Sequence, residues 1–166
     1  MKKYFLLITL FISASTFAQN ATYILIRHAE KDTTAKGSTT MQADPQLSFM
    51  GQERAKRLIT ALHEYSLDEI YSTNFIRTKS TALPIAEVSK KEIQLYDHKN
   101  LKAFADNLLL QNNKTILVVG HNTTTPGLAN LLLKESKYSS LDESVYNKIF
   151  IVTIQNNIAS CKVLEY

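Results

Sequence analysis

The chain of 166 residues carries 19 lysines and arginines against 15 acids, a formal charge of +4, with 45% hydrophobic residues and one cysteine. This composition describes a single domain with enough apolar material for a core, and a lone cysteine excludes an intramolecular disulfide. No lysine and arginine cluster is interleaved with aromatics, so nucleic acid is not an expected partner; the modest positive balance suits a small anion.

Residues 1–18 read as a signal peptide. Lys2-Lys3 forms a short basic start, and an apolar run follows over 4–12. That run is too short to cross a bilayer core of about 30 Å. Thr16 and Ala18 stand at the −3 and −1 positions of a cleavage site before Gln19. The expectation is an exported protein, periplasmic or secreted, with a mature domain over 19–166 and no stable membrane insertion. Cleavage would remove two lysines and no acid, lowering the charge to about +2.

The first strand of the mature chain is the apolar run 22–26. A polar stretch with Gly37 and Pro45 spans 31–46 and reads as a long surface loop of the kind that often carries function. Ser48 then caps a helix running toward Tyr65, with Ala55, Leu58, Ile59 and Leu62 at i, i+3, i+4 and i+7. A short strand over 69–72 precedes a second helix over 75–88, in which Pro84 calls for a bend or break. A strand over 93–96 follows, then a helix with Leu101, Phe104, Ala105, Leu108 and Leu109 inward. Residues 115–119 form a β-branched strand. One of Thr123, Thr124 and Thr125 caps the next helix, with Pro126 near its first turn. Segments 149–154 and 158–164, joined through Asn156-Asn157, read as a terminal hairpin or a pair of edge strands. Cys161 in the last of these reads as a small core residue. Strands alternating with helices predict an α/β sandwich around a mainly parallel sheet.

In such sheets ligands bind beyond the carboxyl ends of the strands, and three of those ends carry basic side chains. "YILIRHAEK" closes on Arg27-His28, "EIYSTNFIRTKSTA" reaches Arg77, and "TILVVGHN" ends in Gly120-His121-Asn122. If these strands are parallel, two histidines and two arginines converge on one edge. Bases so close to a core are costly to desolvate unless something there uses them. A phosphate would: guanidinium forks match its oxygens. A histidine beside two arginines is held neutral and can attack phosphorus. The second histidine, if protonated, would stabilise charge on the phosphoryl oxygens. Asn122 either touches the phosphate or turns the chain into its helix.

Together "LIRHAEK", "LSFMGQERA", "YSTNFIRTKSTA" and "VVGHN" resemble, in order, the motifs of the histidine phosphatase superfamily, the phosphoglycerate-mutase-like proteins. The resemblance covers roughly residues 23–133. It implies a three-layer α/β/α fold, a phospho-accepting nucleophile at His28, a phosphate clamp from Arg27 and Arg77, and completion of the pocket by His121. It implies neither metal nor other cofactor. The chain departs from the family pattern at Ala29, where the family has glycine, and at Asn74, where many members have proline. It also has no insertion bearing the general acid of larger members. Asp97 is the preferred substitute, followed by Glu30, with Glu87, Glu92 and Asp106 as further candidates; a substrate with a good leaving group would need none. His63 and His98 read as solvated. A divalent ion on His28, Glu30, Asp32 and His121 is disfavoured by the two arginines. The expected activity is hydrolysis of a small phosphate monoester, with no obligate protein partner. The alternative is a non-catalytic module that binds phosphate or another anion.

Overall fold

The computed structural model describes residues 19–33 and 44–166. The expected signal peptide and most of the polar 31–46 stretch lie outside the described residues. Ten elements follow in order: β1 (Ala21–Arg27), α1 (Phe49–Ala61), β2 (Glu69–Ser72), α2 (Ile76–Ser89), β3 (Ile93–Leu95), α3 (Leu101–Leu109), β4 (Lys114–Gly120), α4 (Thr124–Leu133), β5 (Lys148–Gln155) and β6 (Ile158–Glu165). A single 3-10 turn at His98–Asn100 links β3 to α3. None of the described helices is long and apolar enough to cross a membrane.

The strands form one sheet in the order β3-β2-β4-β1-β5-β6. The first four strands of the chain are mutually parallel, and β5 and β6 add an antiparallel pair beside β1. Pleating sends alternate side chains of the central strands to opposite faces. Tyr23, Leu25, Ile116 and Val118 pack with Leu108 of α3 and Leu128 and Leu132 of α4. Ile24, Ile26, Leu117 and Val119 pack with Leu58 of α1 and Ala82 and Ile85 of α2. Both faces are therefore covered, giving the three layers α/β/α. Burying each such aliphatic side chain contributes about 1.5–3 kcal/mol, which explains why β1 and β4 are apolar throughout rather than alternating.

Two local expectations are refined. Helix α2 continues through Pro84 without ending. The proline forgoes one backbone hydrogen bond, while Thr81, Ala82, Ile85 and Ala86 keep the surrounding turns buried. At the other end of the chain, Asn156 and Asn157 both adopt positive φ, 51° and 68°, as a two-residue hairpin turn requires. Strand β5 is not an edge, because it lies between β1 and β6. Cys161 is only partly buried on the edge strand β6, outside the fully buried core.

Helix α1 begins hard against the segment that follows β1. The Ser48 hydroxyl accepts from the Gly51 amide at 3.1 Å, and the Ser48 amide donates to the Glu30 carbonyl at 2.9 Å. A Cβ at Gly51 would stand 2.2 Å from that same Glu30 oxygen. Replacement of Gly51 by alanine is therefore expected to cost about 1–3 kcal/mol in urea unfolding, the usual range for overpacking. An unchanged unfolding midpoint would show that the Glu30 backbone yields freely.

Candidate active site

The parallel pairing of β1 with β4 sets Arg27 opposite Gly120, so the residues just beyond them, His28 and His121, emerge side by side. The His28 amide extends the ladder by donating to the Gly120 carbonyl at 2.9 Å. The two imidazoles meet edge to face, 5.5 Å between centres. Gly120 is required for space: a Cβ there would come within 2.7 Å of the Thr124 hydroxyl and 2.8 Å of the Tyr96 hydroxyl.

His28 is 4% exposed. Its Nδ1 lies 2.8 Å from the Ala29 carbonyl. A carbonyl can only accept, so Nδ1 carries the proton and Nε2 keeps its lone pair. The Ala29 amide donates to the Thr81 hydroxyl at 2.9 Å, and that hydroxyl donates to the Arg77 carbonyl at 2.7 Å. Helix α2 thus fixes the histidine segment and one arginine through a single threonine. Burial foremost, then the charges of Arg77 and Arg27, pushes the His28 pKa down to about 3. Burial also dominates at His121, with Arg77, His98 and Arg27 adding to it, and brings its pKa to about 4. The Nε2 of His121 is 3.0 Å from the Thr73 hydroxyl.

Each arginine is braced by a carboxylate from a flanking loop. Arg27, 2% exposed, donates through one terminal nitrogen to the carbonyls of Asp142, Glu143 and Val145. The other terminal nitrogen donates to Glu143 Oε2 at 2.7 Å. Its Nε is buried and has no partner among the described residues. The Arg77 guanidinium lies 4.3 Å over the Phe75 ring and 3.4 Å from Asp44. The Asp44 carboxylate also accepts from the Ile76 amide at the start of α2.

A pocket of about 280 Å³ opens over these groups. Arg27, His28, Arg77, His121 and Asn122, expected from the sequence to meet, all line it. Thr123 and Thr124 bring the N-terminus of α4 to its wall, where the helix dipole favours an anion.

The model of the histidine phosphatase superfamily (branch 1) matches residues 23–104. The chain belongs to the histidine phosphatase superfamily. Among curated proteins it is similar to phosphoserine phosphatase 1 of Hydrogenobacter thermophilus, 43% identical over 70 residues. That match covers 42% of this chain and about a third of the relative's length, 33%. Among solved structures it is similar to a phosphoserine phosphatase of Entamoeba histolytica (TM-score 0.66, 18% identity, covering 88% of this chain and 97% of that one). It is also similar to the phosphoglycerate mutase of Bacillus anthracis (TM-score 0.67, 16% identity, covering 89% and 93%). At that identity the structural likeness concerns the fold.

The carboxylates considered from sequence stay outside the pocket. Asp97 is exposed and accepts from the Lys99 amide at 2.9 Å, capping the 3-10 turn. It borders a separate cavity with Tyr71, Tyr96 and Phe104. Glu30 is held by Arg54 through three hydrogen bonds of 2.7–2.9 Å. Asp106 pairs with Lys102, and Glu87 and Glu92 are exposed on the outside. Among the described residues Glu143 is the carboxylate that lines the pocket, joined there by Lys31 and His98. Glu143 sits in an unpatterned polar loop, so no motif marks it. Its position follows from β5 running antiparallel to β1, which returns the loop before β5 to the end of β1. His98 is not the solvated residue its sequence context suggested; it is half-buried, with ring centres 5.5 Å from His121 and 5.4 Å from Phe75. Asn122 lines the pocket and donates to Glu143 Oε1 at 2.8 Å.

Depressed histidine pKa values have a stability consequence. An unfolded histidine titrates near pH 6.5, whereas His28 and His121 do so at about 3 and about 4 when folded. Below pH ~6.5 the unfolded chain therefore binds more protons, and stability falls as pH falls through that window. Thermal unfolding of His28→Ala and His121→Ala between pH 7 and pH 4 is expected to show a shallower loss than the parent protein. Identical slopes would contradict the buried, neutral state of both rings.

Proposed function

We propose that this protein is a phosphohydrolase that cleaves small phosphate monoesters through a phosphohistidine at His28. The observation that carries this reading is a neutral imidazole, its Nδ1 proton committed to the Ala29 carbonyl, at a pocket lined by Arg27 and Arg77. In the first step Nε2 attacks phosphorus and the ester oxygen leaves with its alcohol. In the second, water attacks the phosphohistidine, releasing phosphate and restoring the ring.

The phosphoryl oxygens are held by Arg77, by the nearby charge of Arg27 and by the positive end of α4 at the pocket wall. That role for Arg27 is narrower than a two-pronged clamp, because its terminal nitrogens are engaged by the 142–145 segment. A bound dianion offsets the arginine charges that help keep His121 neutral. Its pKa then rises, so that His121 can donate to the developing charge. Asn122 holds Glu143 and lies within reach of the same anion.

A pocket of about 280 Å³ suits a small substrate. The Entamoeba histolytica relatives were solved with phosphoserine and with 3-phosphoglyceric acid, which supports the same class of ligand. The basic and apolar start of the chain, with its small residues before Gln19, supports export to the periplasm or beyond.

Assay of the purified protein on p-nitrophenyl phosphate and a panel of alkyl phosphates is the direct test. His28→Ala is expected to lose at least about a thousandfold in turnover, and Arg77→Ala about 100- to 1000-fold. Undiminished hydrolysis by His28→Ala would overturn the mechanism. Phosphate or vanadate binding with no turnover on any ester would favour an anion-binding module instead. For export, fractionation of expressing cells with N-terminal sequencing is expected to find a periplasmic or secreted product starting at Gln19; a cytosolic product retaining Met1 would contradict it.

A further inference from the structure

We propose that His98 is the proton donor to the leaving oxygen, a role that rests on the phosphohydrolase reading above. An alkyl phosphate departs as a poorly stabilised alkoxide unless a nearby group protonates it. Arginines do not surrender protons. An ammonium such as that of Lys31 is by type a much weaker acid than imidazolium. His28 is committed to phosphorus, and His121 to the charge on the phosphoryl oxygens, with its Nε2 facing the Thr73 hydroxyl at 3.0 Å. Both oxygens of the Glu143 carboxylate are engaged as acceptors, from Arg27 at 2.7 Å and from Asn122 at 2.8 Å. Among the described residues, His98 is the remaining pocket side chain of a type that exchanges protons near neutral pH.

Its placement is built. The three imidazoles follow one another along the pocket, His28 to His121 at 5.5 Å and His121 to His98 at 5.5 Å. Phe75 packs edge-on against both His121 and His98, at 5.1 Å and 5.4 Å, and carries the Arg77 guanidinium over its ring. The groups facing His98 are therefore His121 from the end of β4, Phe75 with Arg77 beyond it from the start of α2, and Lys31 elsewhere on the pocket wall. Its own turn is fixed by Asp97, whose carboxylate accepts from the Lys99 amide and whose carbonyl accepts from the Asn100 amide at 3.1 Å. Asp97 shapes the turn, and the next residue reaches the site.

The proton balance closes over the two steps. As His28 Nε2 forms its bond to phosphorus and the P–O ester bond breaks, protonated His98 gives its proton to the departing oxygen, which leaves as the alcohol. Neutral His98 then takes a proton from the water whose oxygen attacks phosphorus. The P–N bond breaks, phosphate departs, and both rings return to their starting states.

The leaving group is the readout that separates proton donation from a structural role. With His98→Ala, kcat/KM on an alkyl phosphate such as phosphoserine is expected to fall about 100- to 10,000-fold, the range of general acid catalysis. On p-nitrophenyl phosphate, whose leaving group needs no proton, it is expected to change far less. Asp97→Asn, which retains a capping side chain, is expected to keep alkyl phosphate turnover. Equal losses on both substrates with His98→Ala, no loss on either, or a loss confined to alkyl esters with Asp97→Asn would each overturn the assignment. In those cases retained His28-dependent hydrolysis by the parent protein leaves the phosphohydrolase reading standing. If the parent hydrolyses neither ester, that reading fails and the role of His98 falls with it.

Discussion

The register between β1 and β4 is the constraint on which the site depends. Because Arg27 lies opposite Gly120, the two histidines that follow reach the same point from distant parts of the chain, already desolvated by the strands beneath them. The apolar faces of β1 and β4 are buried under helices on both sides, so the register is held by the core itself. Slipping either strand by one residue would send every side chain to the opposite face. The site inherits its rigidity from that cost.

Placing two arginines at such a point raises an electrostatic problem that the loops resolve. An unpaired buried guanidinium would be strongly destabilising. Arg27 takes Glu143 and three carbonyls, and Arg77 takes Asp44. Both carboxylates come from outside the strand ends, one from the segment before β5 and one from the segment before α1. The arrangement anchors each guanidinium from behind. With the positive end of α4 and both arginines gathered around neutral rings, the pocket is organised for an anion before one arrives, as electrostatic preorganisation requires.

Much of this organisation is legible in the residues themselves. Apolar runs mark β1 and β4, the spacing of Ala55, Leu58 and Leu62 marks α1, and basic residues at or shortly after the ends of β1, β2 and β4 point to one shared edge. The less legible parts are those decided by tertiary pairing or by a single turn. Strand β5 reads as an edge candidate because nothing local reports its pairing with β1, and with that pairing hidden, Glu143 has no visible address. Asp97 and His98 differ by one position. Which of them faces the pocket depends on a 3-10 turn whose cap uses the aspartate, and a carboxylate favoured for chemistry by type is spent on backbone hydrogen bonding. Pro84 shows the same override in a helix, where packing outweighs one lost hydrogen bond.

The central claim is that the neutral ring of His28 becomes covalently phosphorylated. Its most direct test is to mix the protein with ³²P-labelled phosphate ester, quench in alkali within the first turnover, digest, and locate the label by mass spectrometry. The expected result is an acid-labile, alkali-stable phosphate on the peptide containing His28. Turnover that proceeds normally with no labelled histidine, or with the label on another residue, would contradict it.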